Sequence, residues 1–212
     1  MRECFEYQKK LHDTLRKELH IGIKETEISE IISSFGAVWQ GDIVSGERSA
    51  DIEGVATDRV IKDGDTLITD IQFFDGEMWS DITRTYIFGT PGKAVSELYK
   101  KTENALKNTE KLLKDGTRCA DLYAFLKKEL DSEYAFTHHA GHLIGDKPLI
   151  KPQFLPESRE CLKSGMAVTL EPGVYIPGKF GIRLENNYLI TESGYESLFD
   201  YPLSAENFTM TR

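Results

Sequence analysis

Two aspartates in one short stretch are spaced to hold a cation. Asp70 interrupts an apolar run at residues 66–74, Asp81 interrupts another at 78–88, and Asp75-Gly76 lies between them. An Asp-Gly pair between runs rich in Ile, Phe, Thr and Tyr is a hairpin signal. Folding about that turn sets the two carboxylates roughly opposite one another. Two anions facing each other in a half-buried sheet repel and lose hydration, so they need a cation between them unless they lie on a solvated face. Arg84 stands three residues beyond Asp81, and strand alternation turns it to the other face. A shared divalent ion is the chemistry this pair suits, with a solvated surface pair as the alternative.

The arrangement recurs. Lys62-Asp63-Gly64-Asp65-Thr66-Leu67-Ile68-Thr69-Asp70 is matched by Lys163-Ser164-Gly165-Met166-Ala167-Val168-Thr169-Leu170-Glu171, each placing a carboxylate six residues after the glycine. Each is followed by a second carboxylate on the returning strand, Asp81 in the first half and Glu185 in the second. Two such halves facing each other would pool four carboxylates. Between the two pairs in sequence lies Thr137-His138-His139-Ala140-Gly141-His142, which supplies the usual nitrogen donor. The other histidines, His12 and His20, fall in or just after the first helix and read as surface or packing residues.

The elements that must position these groups are legible in outline. Residues 2–19 have a helical period, with Leu11, Leu15 and Leu19 on one stripe. A second helix follows Gly22, opened by Glu25 and Glu27 and carrying Ile28, Ile31 and Ile32. Residues 41–58 read as a polar, Gly-rich connection. After the hairpin, Thr90 suits a helix cap and Pro91 a first helical position. A long helix then buries Val95, Leu98, Tyr99, Ala105, Leu106, Leu112 and Leu113, and Gly116 ends it. Another helix turns Leu122, Phe125, Leu126 and Leu130 inward. A Pro-punctuated loop and strands at 167–170 and 181–190 complete the chain. Helix-helix-strand-strand, twice, predicts a pseudo-twofold α/β (α+β) fold, with helices outside a curved, mostly antiparallel sheet. The expected organisation is a single domain over 1–212, with pseudo-repeats at about 1–90 and 91–212.

With 212 residues the chain is long enough for a substantial core. A net charge of −9 argues against nucleic acid or an anionic membrane as the main partner. Cys4, Cys119 and Cys161 are odd in number and lack metal-ligand spacing, which fits a reducing cytoplasm. The first ten residues hold no apolar signal core, and the expectation is a soluble cytoplasmic protein.

Four segments together resemble the pita-bread metallopeptidases of the M24 family, nearest the aminopeptidase P and prolidase branch. They are Ser80-Asp81-Ile82-Thr83-Arg84-Thr85, Gly141-His142-Leu143-Ile144-Gly145, Thr169-Leu170-Glu171-Pro172-Gly173-Val174-Tyr175 and Gly181-Ile182-Arg183-Leu184-Glu185-Asn186. The resemblance implies a two-metal centre with Asp70, Asp81, His142, Glu171 and Glu185 as ligands, Asp81 and Glu185 bridging. It implies Glu171 as proton shuttle, His138 near the substrate, and Arg84 and Arg183 as neighbours of ligands. An almost all-oxygen shell with one imidazole suits Mn²⁺, with Co²⁺, Fe²⁺ or Zn²⁺ able to enter. It also implies a small peptide or peptide-like substrate, Xaa-Pro dipeptides first, and a homodimer.

The chain departs from that family at two points. The peptidases carry a histidine seven residues after the metal-binding one, where this sequence has Leu149, and another in the loop before the hairpin, where it has Glu53. Loss of a transition-state donor typically slows turnover by about 10²–10³. His138 and the additional His139 are candidates to replace them in part, His139 and Arg183 are candidate substrate-binding residues, and Glu53 is a candidate general base or holder of a cationic group. The sequence starts at the catalytic domain, without the N-terminal domain of longer relatives, so substrate selection is expected to be built differently. Three functions follow: a dinuclear metallopeptidase, an enzyme of altered chemistry (a non-peptide C–N hydrolase or lyase using Glu53), and a peptide-binding module without catalysis.

Overall fold

A computed structural model of the protein describes residues 2–211. The first helix, α1 (Glu3–Glu18), buries Cys4, Phe5, Gln8, Leu11, His12 and Leu15, a stripe at helical spacing. In α2 (Glu25–Ser33) the Glu27 carboxylate accepts the Lys24 backbone N–H at 2.8 Å and so closes the first turn. The segment after it is not the open connection its polarity predicts. It forms strand β1 (Val38–Ser45) and a 3₁₀ turn at Gly46–Asp51. The polar residues of β1 lie on an edge strand with its first half exposed, which is why the apolar signal is weak there.

The central hairpin is β2 (Thr66–Phe74) and β3 (Trp79–Phe88). Both arms are buried on both faces, so they read as near-continuous β-branched and aromatic runs. One face carries Leu67, Ile71, Phe73, Ile82, Tyr86 and Phe88 onto α1 and α2. The other carries Ile68 and Ile87 into a second core with α3 (Lys93–Thr109) and α4 (Cys119–Leu130). The α3 cap is Gly92, two residues beyond Thr90, so neither Thr90 nor Pro91 takes the predicted role. Leu112 falls in a 3₁₀ turn after the helix and is exposed, and Phe125 is only half-buried.

The second half supplies β4 (His142–Ile144), β5 (Ile150–Gln153), β6 (Ala167–Leu170), β7 (Gly173–Ile176), β8 (Phe180–Arg183), β9 (Asn186–Ile190), β10 (Tyr195–Ser197) and β11 (Thr209–Met210). The strands form ladders ordered β1-β2-β3-β11, β10-β9-β6-β4-β5 and β7-β8. Every pairing is antiparallel except β11 beside β3, so the mixed α/β, mostly antiparallel expectation holds. The run expected as one strand at 181–190 is broken at Leu184–Glu185. There the Glu185 backbone N–H donates to Thr83 O at 3.1 Å, and Asn187 pairs with both backbone groups of Asp81 at 2.9 and 2.6 Å. These bonds tie the second half onto β3 where the carboxylates lie. Among the described residues, no helix is long and apolar enough to cross a membrane. His12 is a fully buried packing residue bonded to the Tyr86 hydroxyl at 2.8 Å, while His20 is exposed.

Candidate metal centre

On the hairpin, Asp70 pairs with Thr83 and Asp81 with Gln72. The two carboxylates therefore share a face as diagonal neighbours, two residues out of register, rather than standing directly opposite. Arg84 is on the other face, as alternation predicts, buried and bonded to the Glu185, Thr83 and Pro202 carbonyls. Glu185 enters from the break between β8 and β9, Glu171 from the end of β6, and His142 from the start of β4. The ligand atoms of Asp81, His142 and Glu185 all lie within 4.8 Å of one another. His142 Nε2 is 3.3 Å from Asp81 Oδ2 and 3.6 Å from Glu171 Oε1. Residues distant in sequence thus converge on one cavity of about 320 Å³, lined by Asp70, Asp81, His142 and Glu171 together with Glu53 and Leu149.

The electrostatics of this cluster call for a cation. Asp81 and Glu185 are 2% and 1% exposed, and Asp81 Oδ1 and Glu185 Oε1 have no hydrogen-bond partner among the described residues. Burial, and then the neighbouring carboxylates, push both groups above the ordinary carboxylate range. Burial acts against the His142 imidazolium, but the bond to Asp81 and the charges of Glu171 and Asp81 outweigh it and lift His142 to about 9. Burial also raises Glu171, yet its contact with His139 and the charges of His139 and His142 leave it lowered. Orphaned buried oxygens with one imidazole are the donor set of a divalent ion, and the residues present fit one.

Around the cluster runs a chain of bonds. Arg183 Nη2 donates to Asp70 Oδ2 at 2.8 Å, and its Nη1 donates to the Tyr175 hydroxyl at 2.9 Å and to Ile52 O at 2.8 Å. His138 Nδ1 is 2.7 Å from His139 O, a group that only accepts, so Nδ1 carries the proton. His138 Nε2 is then left to accept from the Tyr175 hydroxyl at 2.9 Å. Burial is the main reason His138 is depressed to about 4, which keeps it neutral in that tautomer. His139 Nδ1 faces Glu171 Oε1 at 3.0 Å.

Several contributors lay outside the sequence reading. Gln72 donates to Asp81 Oδ2 at 2.6 Å, and period-two spacing from Asp70 marks it as a same-face neighbour. Tyr175 stands four residues after Glu171 in a segment already singled out. Asp42 pairs across to Asp70 in the β1–β2 ladder and was hidden by the missed strand. Burial first, and then Asp70, raise Asp42 to about 6.

Gly141 shows how closely the backbone is packed here. A Cβ on it would lie 2.2 Å from Thr169 O and 2.9 Å from the Phe154 ring. Gly141→Ala is expected to push β4 off β6 and carry His142 with it, lowering metal affinity about 10–100-fold, the range for disturbed ligand support. Isothermal titration with Mn²⁺ checks this, and unchanged affinity would show that β4 relaxes freely.

Comparison with known proteins agrees with this geometry. Residues 1–192 match the model of metallopeptidase family M24. The Xaa-Pro dipeptidase of Pyrococcus furiosus is 36% identical over 160 residues, 74% of this chain and 46% of that one. That of Pyrococcus horikoshii is 31% identical over 187 residues, covering 86% and 53%. This chain thus spans about half the length of the curated relatives it matches. Among solved structures, the prolidase from Pyrococcus furiosus superposes with a TM-score of 0.89 at 30% identity, over 94% of this chain and 60% of that one. The X-Pro aminopeptidase from Thermotoga maritima gives 0.89 at 27% identity, over 97% and 60%. With the family model matched over residues 1–192 and the pita-bread architecture shared with these structures, the chain belongs to metallopeptidase family M24.

Proposed function

We propose that the protein is a dinuclear metal-dependent peptidase that cleaves Xaa-Pro or similar small peptides. The observation carrying this is the pair of orphaned buried oxygens, Asp81 Oδ1 and Glu185 Oε1, beside His142. Asp70, Asp81, His142, Glu171 and Glu185 would hold two divalent ions. Four carboxylates to one imidazole favour Mn²⁺. Bound there, the ions supply Lewis acidity toward the scissile carbonyl and lower the pKa of water.

The chain's own residues do the rest. Glu171, its pKa held low chiefly by His139, takes a proton from water and returns it to the leaving nitrogen. His138, neutral and with Nε2 accepting from Tyr175, lines the cavity as a fixed wall. Arg183 holds Asp70 in place through a bond at 2.8 Å. Glu53 and Leu149, at the two positions where the resemblance implies histidines, both line the cavity. Glu53 as a general base in a non-peptide C–N hydrolase or lyase is the second reading, favoured by that placement.

Hydrolysis of a panel of Xaa-Pro and Met-Xaa peptides by Mn²⁺-loaded protein tests the first reading. Turnover that disappears in Asp81→Asn supports it. Metal-loaded protein that cleaves none of the panel would overturn it in favour of the second. A cytoplasmic location and a homodimer belong to the same proposal and are checked by fractionation and by light scattering.

A further inference from the structure

Cleaving a dipeptide requires the site to accept a free carboxylate one residue beyond the scissile bond. Drawing that carboxylate out of water needs a cation or several free N–H donors. Among the described residues lining the cavity, Arg183 is the one permanent cation. It is 2% exposed and already committed to Asp70, Ile52 O and the Tyr175 hydroxyl. The neutral histidine His138 uses both ring nitrogens, and His142 uses Nδ1 on Leu143 O and Nε2 against Asp81. His139 Nδ1 stands 3.0 Å from Glu171 Oε1, and the amides of Gln40 and Gln72 donate to Gln72 Oε1 and Asp81 Oδ2, so the lining offers no uncommitted permanent cation to a second anion.

The fixed charges point the same way. Asp42, Glu53, Asp70, Asp81 and Glu171 all line the cavity. Two divalent ions would balance the four candidate ligand carboxylates, Asp70, Asp81, Glu171 and Glu185. Asp42 and Glu53 then face Arg183 with an excess of negative charge.

Glu53 is held for this task by its backbone neighbours. Arg183 bonds the Ile52 carbonyl, Asp42 Oδ1 accepts the Gly54 N–H at 3.0 Å, and the Ile43 N–H donates to Gly54 O at 3.0 Å. Ile52 is driven to a φ of 66°, a conformation an isoleucine adopts only under constraint. The peptide is pinned on both sides, while the Glu53 side chain is exposed and forms no hydrogen bond or ion pair with the described residues. A fixed backbone presenting a free carboxylate at the lip of a cavity is a charge filter.

We propose that the cavity selects peptides with no carboxylate next to the scissile bond on the leaving side, and favours a neutral or basic group there, with Glu53 as the specificity-determining side chain. The substrate class is then a peptide that continues past this position, or an amide, rather than a free dipeptide. This rests on the reading of the cavity as a peptide site.

The test is isothermal titration of Mn²⁺-loaded protein with two non-cleavable ketomethylene isosteres of alanyl-proline. They differ only in ending as a carboxylate or a carboxamide. The amide is expected to bind roughly tenfold tighter, the effect of one unit charge a few ångströms away across a partly wet cavity. Glu53→Gln should narrow the ratio and Glu53→Lys should invert it, and because Glu53 is exposed both variants should fold. Equal or tighter binding of the acid, a ratio unmoved in both variants, or no binding of either ligand overturns the proposal. Tight amide binding in a protein that cleaves no peptide would instead sink the peptidase reading and leave the filter standing.

Discussion

Asp81→Asn is expected to leave a folded protein whose peptide turnover falls by at least about a thousandfold, beyond the 10–100-fold typical of an outer-shell change. Asp81 is the most connected of the candidate ligands. It is 3.3 Å from His142 Nε2, accepts from Gln72 at 2.6 Å, and leaves Oδ1 unpartnered and buried. Asparagine keeps the shape and the backbone bonds to Asn187 but removes the charge a cation needs. Metal content by elemental analysis should fall with activity, and full metal occupancy with lost turnover would mean that Asp81 acts on the substrate instead.

The same substitution has a second, opposite signature in metal-free protein. Asp81 and Glu185 have raised pKa values in the fold, against 3.8 and 4.5 as free groups. A raised carboxylate binds its proton more tightly folded than unfolded, so it destabilises the fold as pH climbs from about 4 through its folded value. Metal-free wild-type protein should therefore melt at a higher temperature at pH 5 than at pH 7. Asp81→Asn should be less sensitive to that change and more stable than wild type at pH 7 without metal. With metal added, the wild type should overtake it. A metal-free wild type whose melting temperature rises from pH 5 to pH 7 would mean the cluster is not under repulsive strain.

Arg183→Met is expected to destabilise the protein by about 3–5 kcal/mol, the range for removing one partner of a buried charge pair. Its guanidinium bridges Asp70, Tyr175 and Ile52 O, so one substitution unpins a candidate ligand, the Tyr175–His138 bond and the loop that carries Glu53. Methionine keeps much of the volume and none of the donors. Chemical denaturation gives the stability change. Turnover measured well below the melting point should also fall, because Asp70 loses the bond that orients it. Lysine should recover little of either, since a point charge cannot fork to three acceptors. A loss under about 1 kcal/mol would mean that water replaces the clamp.

These effects meet in residues that the sequence presents unequally. Four of the candidate ligands are legible because carboxylates inside apolar runs are rare and physically costly, so Asp70 and Asp81 stand out and Glu171 and Glu185 echo them, whereas the choice of His142 from its cluster comes from the resemblance to the family. The hairpin and the main helices are legible for a similar reason, since their periodic apolar residues report which face is covered. Strand β1 is not legible, because an edge strand with one exposed half lacks that period, and Asp42 is hidden with it. The helix starts at Lys93 rather than at Pro91, because cap preferences of Thr and Pro are weak beside tertiary packing.

By itself the sequence marks four candidate carboxylates, a histidine cluster and the alternation of helices and strands around them. Only the tertiary structure decided what surrounds them. It set the two-residue offset between Asp70 and Asp81, because register depends on pairing across the whole ladder rather than on the turn alone. It committed Arg183 to Asp70, Ile52 and Tyr175, residues 113, 131 and 8 positions away in sequence. It also turned Glu53 to the lip of the cavity. A charge has no direction until the backbone that carries it is fixed, and that backbone is fixed here by bonds between segments that the sequence holds far apart.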